Sequence, residues 1–577
     1  MNLFAEIEAD VRAALVALQE QGKLADGLDI SRLTVEPPRD PAHGDMATNA
    51  AMVLAKAAGM IPRDLAALLV TELQKSDRID AAEIAGPGFV NLRLDKSAWH
   101  QLVPHILTVG LAYGDGTGGA KVNVEYVSAN PTGPMHVGHA RGAVVGDVLA
   151  RLLEKTGSDV LREYYINDAG SQVDLLARSV LLRMREAQGE DIGAIPEGLY
   201  PGDYLVPAGQ KLAAMELPDA PDTQLQAAKS VALPMMMDMI RDDLAVLGVK
   251  HDYFLSEQSL HDDGSVDKAL DELSTKNLIY IGILEPPKGK EPPPDWEPSP
   301  QTLFKSTDFG DDSDRALKKS NGNWTYFAPD IACHFNKYQR GYAQMIDVWG
   351  ADHIGYIKRM QSAVTAITDG AAQLEVKVCN LVKLMRGGEP VKMSKRSGSF
   401  ITLREVVEEV GKDAVRFMML TRKNDAPLDF DFDVVKDKSR DNPVFYVQYA
   451  HARIFSVLRN AKEQGIAVED ATLASAPLTT LTHDAELTLI RLLGTYPRML
   501  LAAAQAREPH RVAFYLLELA AAFHALWNLG KEDVNLRFIQ EEDETGTSAR
   551  LALIRATAIT LASGFDVIGV TPQDELR

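Results

Sequence analysis

Apolar residues recur every three or four positions over residues 2–18, 45–58 and 62–75, and that spacing predicts three amphipathic helices. The period then changes. After the turn Gly86-Pro87-Gly88, the run Phe89-Val90-Asn91-Leu92-Arg93-Leu94 alternates apolar and polar positions, which predicts a strand. Residues 1–113 therefore read as a small α+β domain, and the glycine-rich run 114–119 reads as a linker. Beyond it the order is strand (122–127), loop (128–138), helix (139–155) and strand (159–166), a βαβ unit. Its helix carries Val144, Val148 and Leu152, with Val145, Leu149 and Leu153 beside them, as one apolar stripe, and Gly157 ends it. A second pair of strands, 345–349 and 376–384, flanks a helical stretch at 353–368.

This alternation predicts an α/β domain over residues 114–440, a doubly wound parallel sheet of Rossmann-like form whose ligands sit at the carboxyl ends of its strands. Residues 284–322 read as an insertion in it, a proline-rich run at 286–294 followed by a polar, acidic, extended stretch at 306–314. Thr402 and Glu405 have capping-box spacing, and the chain after them is helical apart from an irregular interruption at 423–433. From residue 442 nearly every segment has helix period, so residues 441–577 form an all-α carboxy-terminal bundle. No internal repeat is present.

Composition narrows the classes. The 577 residues are 46% hydrophobic and 24% charged, which excludes a disordered or collagenous chain. With 60 Lys and Arg against 81 Asp and Glu, the net charge of −21 disfavours a protein that coats nucleic acid indiscriminately, while leaving room for a local basic groove. Two cysteines, Cys333 and Cys379, supply neither a disulfide framework nor a four-ligand zinc site. A reducing, cytoplasmic compartment is expected. The acidic, amphipathic amino terminus does not read as a signal peptide, and no uninterrupted apolar run reaches the roughly 18 residues of a membrane span.

Two segments carry candidate chemistry. In Ser128-Ala129-Asn130-Pro131-Thr132-Gly133-Pro134-Met135-His136-Val137-Gly138-His139, two imidazoles three residues apart flank a glycine at a helix start. There the unpaired N–H groups and the helix dipole favour an anion, and Gly138 lets a ring approach the backbone, which suits a nucleoside triphosphate. Ordinary surface or zinc-binding histidines are the alternative reading. The second segment, Gly387-Gly388-Glu389-Pro390-Val391-Lys392-Met393-Ser394-Lys395-Arg396-Ser397-Gly398, is a cationic loop able to fold over polyphosphate. A solvated basic loop is its alternative.

Taken together and in this order, His136-Val137-Gly138-His139 and Lys392-Met393-Ser394-Lys395 match the two signatures of class I aminoacyl-tRNA synthetases. The wording of residues 129–139, of Asn167-Asp168-Ala169-Gly170 and of Tyr449-Ala450-His451-Ala452-Arg453 resembles the arginyl-tRNA synthetase family over essentially the whole chain. Gly86-Pro87-Gly88-Phe89-Val90-Asn91 is similar to the tRNA-contacting domain that this family places ahead of its catalytic core. The full Lys-Met-Ser-Lys form departs from the degenerate version of many arginyl enzymes.

The resemblance implies that arginine and ATP give arginyl-adenylate and pyrophosphate, and that the arginyl group then passes to tRNA(Arg). His136, His139, Lys392 and Lys395 would be the catalytic donors. His136, Gly138, His139, Gly350, Asp352, His353 and Lys395 would hold ATP, with a plain helix cap at Asp352 as an alternative. Ser128 and Asn130 would hold the main-chain groups of arginine, while Glu257, Tyr326 and Asp330 receive its guanidinium. The Tyr326 ring and the Asp330 carboxylate share one face if a helix starts there, although a core tyrosine and a capping Asp would have the same spacing. Near the start of the last domain, Tyr446, Tyr449, His451, Arg453 and Arg459 suit unpaired bases and phosphates, and Tyr449, Arg453 and Arg459 are the expected tRNA contacts. Mg²⁺ would accompany ATP; no zinc, no other metal site and no membrane are expected, and a monomer is, because no leucine zipper is present. A related adenylate-forming enzyme for another substrate, or a noncatalytic RNA-binding paralogue, are the competing readings.

Overall fold

The strand predicted after residue 121 lies in the middle of a five-stranded sheet in which every pair is parallel. Its strands are β1 (Lys121–Tyr126), β2 (Asp159–Ile166), β3 (Tyr253–Ser256), β4 (Gln344–Gly350) and β5 (Gln373–Cys379), in the order β5-β4-β1-β2-β3. The chain leaves β1 through helix α1 (Val137–Lys155) and returns as β2, while β4 pairs on the other edge of β1. The strand order reverses between β1 and β4, which opens a crevice at their carboxyl ends. Helix α1 buries the predicted stripe, and a Cβ at Gly146 would lie 2.3 Å from Tyr126 Cγ, so a glycine is needed for the helix to settle on β1.

The computed structural model describes residues 1–38, 40–218, 220–284, 299–391 and 401–576. Lys392 and Lys395, with most of the basic loop, and the proline-rich run 286–294 lie outside the described residues. The chain divides into two compact units, residues 117–438 with 507–510, and residues 1–116 with 439–506 and 511 onward.

In the first unit, α2 (Glu257–Asp262), α3 (Phe327–Gln339) and α4 (Ile357–Ile367) share a core that includes Leu255, Leu260, Ile331, Met345, Met360 and Val364. Three further helices, Ser171–Ala187, Val206–Ala213 and Pro221–Leu247, stand between β2 and β3 around a core of their own. In the second unit, helices Leu3–Glu20 and Pro62–Leu73 accompany a four-stranded antiparallel sheet. That unit also holds α5 (Pro443–Glu463), Asp484–Ala506, α6 (His510–Glu532) and Glu544–Ile568. Arg491 and Arg498 pair with Asp45 and Glu36 at 2.7 and 3.1 Å, and Tyr113 Oη donates to Leu493 O at 2.9 Å, so the first and last stretches of sequence pack on each other. The helices 510–532 and 544–568 are long and apolar enough to cross a membrane by length and composition; 83% of the apolar window of the second is buried in the bundle.

Three expectations are corrected. Residues 45–58 are not one helix: Met46–Thr48 is a strand paired with Phe89–Leu94, and only Ala50–Leu54 is helical. Asp45 fixes this by accepting from Leu94 N at 2.8 Å, so tertiary pairing overrides the helical period. The strand 376–384 is two strands in different sheets, β5 and Val382–Arg386, because Asn380 turns the chain by accepting from Leu381 N on its own side chain. The stretch 306–314 is not extended: a 3₁₀ turn at Ser306–Phe309 joins strands Gln301–Phe304 and Arg315–Lys318, and Arg315 grips Asp311 through two 2.7 Å bonds. The 423–433 interruption contains strand Leu428–Asp431, and the Thr402–Glu405 capping box forms as its spacing predicts.

Candidate active site

The loop from β1 to α1 turns sharply, with Val127 and Ser128 at φ of 72° and 38°, a left-handed conformation that non-glycine residues seldom adopt. Ser128 Oγ donates to Glu125 Oε1 at 2.9 Å and accepts from Tyr165 N at 3.0 Å. Asn130, exposed, donates to Gln172 Oε1 at 2.8 Å, and Tyr204 Oη from the helical insertion donates to Thr132 O at 2.9 Å.

His136 is the N-cap of α1. Its Nδ1 accepts from Gly138 N at 3.0 Å, and His139 Nδ1 accepts from His136 N at 3.3 Å, with the two rings stacked 3.9 Å apart. Each Nδ1 is thus an acceptor, so each ring carries its hydrogen on Nε2. Burial, and His136 beside it, push the His139 pKa down to about 4, so at neutral pH it is a neutral donor and not a charge. Gly138 has a reason beyond ligand approach: a Cβ there would fall 2.7 Å from His136 Cε1, so only glycine lets that ring fold back.

The segment following the basic loop returns to the same place. Leu403 N donates to Met135 O at 2.8 Å, and His136 and Thr402 form a β-bridge. Buried Arg141, one turn into α1, donates to the carbonyls of Asn380, Lys423 and Ala426, fixing the base of the strand that leads toward the loop. The sequence reading missed Arg141, since its partners are backbone carbonyls more than 200 positions away.

Across the crevice, Gly350 ends β4, and a Cβ there would meet Asp352 Oδ1 at 2.4 Å. Asp352 and His353 are exposed and pair with each other at 3.3 Å. Tyr326 is the residue before α3 and 64% exposed, and Asp330 lies in its first turn, so the predicted ring and carboxylate do share that helix end. Glu257 opens α2, whose start is held by Asp168 of the Asn167-Asp168 pair: Asp168 accepts from Ser256 Oγ at 2.7 Å and Gln258 N at 2.8 Å.

Glu257 and Asp330 are an unusual pair. Burial, with the Asp330 charge next, pushes Glu257 up to about 7, and burial pushes Asp330 up to about 6. Among the described residues no Lys or Arg forms an ion pair with either carboxylate, and His261 Nε2 lies 3.8 Å from Glu257 Oε1. A buried carboxylate beside a half-buried one, with no Lys or Arg paired to either among the described residues, leaves a local negative charge in the pocket.

Behind them lies a layer that the sequence reading did not find. Asp347, Glu125 and Glu163 stand in register on β4, β1 and β2, a row of three acidic side chains across one sheet. Helix α3 covers it with His334 and Lys337, and its C-cap residue Arg340 adds a third cation. Lys337 Nζ, fully buried, donates to Glu125 Oε2 at 2.6 Å and Asp347 Oδ1 at 3.1 Å; His334 Nε2 meets Asp347 Oδ2 at 2.9 Å, and Arg340 donates to Glu163 at 2.6 Å. Burial would raise the Asp347 pKa, yet Lys337 and His334 hold it at about 2. Glu125, whose burial outweighs Lys337, is pushed up. The layer reaches both sides of the pocket, since Glu125 holds Ser128 and His334 Nδ1 donates to Asp330 O at 2.8 Å. Asp330, His334 and Lys337 lie at i, i+4 and i+7 of a helix whose other residues from Phe327 to Phe335 are apolar, a signal that could have revealed it.

The expected RNA contacts are on α5. Tyr449 Oη accepts from Arg453 at 2.9 Å, and the Arg453 guanidinium lies 4.1 Å from the Tyr449 ring and 5.0 Å from Trp527 of α6. Arg459 faces another way and bonds the chain's last turn at Asp574 O, 3.2 Å. Tyr446 packs against His524 with the rings tilted, and His451 is buried against Gln573 O.

Residues 5–94 match the arginyl-tRNA synthetase N-terminal domain, 103–194 the class I (R) tRNA synthetase catalytic domain, and 447–576 the DALR anticodon-binding domain. The arginine-tRNA ligase of Parvibaculum lavamentivorans is 60% identical over the full length of both chains, and that of Cereibacter sphaeroides 57%. The structure of Thermus thermophilus arginyl-tRNA synthetase superposes over all of both chains with a TM-score of 0.73 at 21% identity, a likeness of fold. A doubly wound parallel sheet with the first signature segment at the start of α1, joined to full-length identity of this order, places the chain in the arginyl-tRNA synthetase family, the class I arginine-tRNA ligases.

Proposed function

We propose that the chain activates L-arginine with ATP, releasing pyrophosphate, and transfers the arginyl group to the 3′-terminal ribose of tRNA(Arg). The observation that carries the substrate is the pair Glu257, buried, and Asp330, half-buried, carboxylates whose raised pKa values fall once a guanidinium binds between them. The exposed Tyr326 ring at the mouth can stack on the same planar cation. Ser128 and Asn130 take the substrate's main-chain groups, so its carboxylate faces the α-phosphate of ATP.

No protein nucleophile is required; the reaction is positioning plus stabilisation of charge on phosphate. The two Nε2–H groups of His136 and His139 donate to phosphate oxygens at the amino end of α1, where backbone N–H groups and the dipole add to them. Gly350, Asp352 and His353 hold the nucleoside. Lys392 and Lys395 meet the departing pyrophosphate. Among the described residues no three acidic, His or Cys side chains are grouped to hold a metal ion; Mg²⁺ carried on the triphosphate would neutralise phosphate charge there. Tyr449 and Arg453, with Trp527 behind them, take unpaired tRNA bases and phosphates, and Arg459 adds a cation. Three functional domains (1–113, 114–440, 441–577), a cytoplasmic location and a monomeric state complete the proposal.

Pyrophosphate exchange and tRNA charging with each amino acid in turn should detect arginine only, with exchange that needs tRNA present. Preferential charging of any other amino acid would overturn the assignment. Replacing Lys395 by alanine should slow exchange about 100-fold, the cost of one donor to developing charge, without moving the melting temperature. A large fall in Tm would instead make that lysine structural.

A further inference from the structure

Asp330 is gripped from an element outside its own helix. Tyr356 Oη donates to Asp330 Oδ2 at 2.7 Å, and Tyr356 closes the 3₁₀ turn Ala351–Tyr356 that begins at Gly350 and carries Asp352 and His353. Its ring is wedged: Phe327 meets it edge-on at 6.1 Å, Trp349 at 6.0 Å, and the Arg359 guanidinium lies 4.9 Å from its centre. These contacts hold the half-buried ring with its hydroxyl on the carboxylate.

We propose that Tyr356 is a positioning residue for arginine: its hydroxyl holds the Asp330 carboxylate in the orientation that receives the guanidinium. This rests on the reading of Glu257 and Asp330 as the guanidinium site. A carboxylate free to rotate would lose the coplanar, two-point match that such a cation needs, whereas one oxygen fixed by a wedged phenol has a single plane to present. The hydroxyl has a second effect. Burial drives the Asp330 pKa up, and Tyr356 and His334 oppose it, while Glu125 and Asp347 push with burial. Glu257 and Tyr165 face the same pocket from α2 and β2, Lys337 lies farther along α3, and Arg359 stands on α4 behind Tyr356. Removing the hydroxyl therefore leaves Asp330 more readily protonated. Guanidinium binding needs the ionised form, so the KM for arginine is flat above that pKa and rises as pH falls through it, and loss of Tyr356 Oη moves this rise to higher pH.

The test is Tyr356→Phe, which keeps the wedged ring. In tRNA-supported exchange the arginine KM should rise about tenfold at neutral pH, the scale of one hydrogen bond to a charged group. The acid limb of its pH profile should move upward and the ATP KM should stay constant. In an Asp330→Asn background the same change should add nothing, because the two act as one unit. An unchanged arginine KM and pH profile would overturn the proposal, as would equal losses for arginine and ATP with a lowered Tm, or full additivity with Asp330→Asn. A wild-type enzyme that does not use arginine would instead remove the underlying guanidinium site.

Discussion

Glu257→Gln yields an enzyme that resists heat better and scarcely uses arginine. Glu257 is 6% exposed, and burial, reinforced by Asp330, lifts its pKa from 4.5 to about 7. A carboxyl group whose folded pKa exceeds its unfolded one favours the folded state least where both are ionised. The cost is absent below pH 4.5, grows between 4.5 and 7, and is complete above 7, where it amounts to about 3 kcal/mol. Glutamine has the same shape without the charge, so the variant should melt at higher temperature above pH 7, and the advantage should vanish as pH falls toward 4.5. Arginine use moves the other way. The guanidinium loses one of its two anionic partners, a change of about 2–5 kcal/mol, so kcat/KM for arginine should fall roughly a thousandfold with the ATP KM unaltered. Thermal melts across pH and exchange kinetics measure both. A lower Tm with intact arginine kinetics would assign Glu257 to the scaffold.

Lys337→Met should destabilise the protein by about 3–5 kcal/mol, among the largest effects available to a single substitution here. Methionine fills nearly the same volume, but Glu125 and Asp347 would lose the ammonium at 2.6 and 3.1 Å, with Glu163 next in the row. Buried carboxylates without a cation stay folded only by taking up protons. The deficit relative to wild type should therefore be greatest at neutral and alkaline pH and shrink as acid protonates Glu125 and Asp347. Denaturant unfolding at several pH values tests this. A deficit that ignores pH would mean that Lys337 fills space and that its charge is incidental. Because Glu125 also holds Ser128 Oγ, the arginine KM should rise in whatever fraction of the variant folds.

The nucleotide half of the candidate site was legible because its logic is local. His136, Gly138 and His139 lie within four residues at a helix start, and the N-cap, the stacked rings and the missing Cβ are all consequences of that one turn. Tyr326 and Asp330 were legible for the same reason, sharing the first turn of α3. The supporting groups were not. Tyr356 is 26 positions from Asp330, Lys337 is 212 from Glu125, and Arg141 is 239 from Asn380, so no window of sequence contains both partners. Lys337, Glu125 and Asp347 each read alone as ordinary surface charge, and nothing local says that β4, β1 and β2 place three carboxylates in one buried row.

The sequence by itself determined the α/β core, the helical carboxy-terminal segment, the capping box at Thr402 and the chemistry-bearing residue types, because helix and strand periods and cap preferences follow from backbone geometry within a few residues. Tertiary structure decided the rest. It made a strand of Met46–Thr48 by offering Phe89–Leu94 as a partner, split the strand after Cys379 between two sheets, and packed the first 116 residues on the last helices as one unit. Each outcome depends on which distant surface becomes available for burial and pairing, a free energy that exceeds local propensity and is specified only by the folded whole.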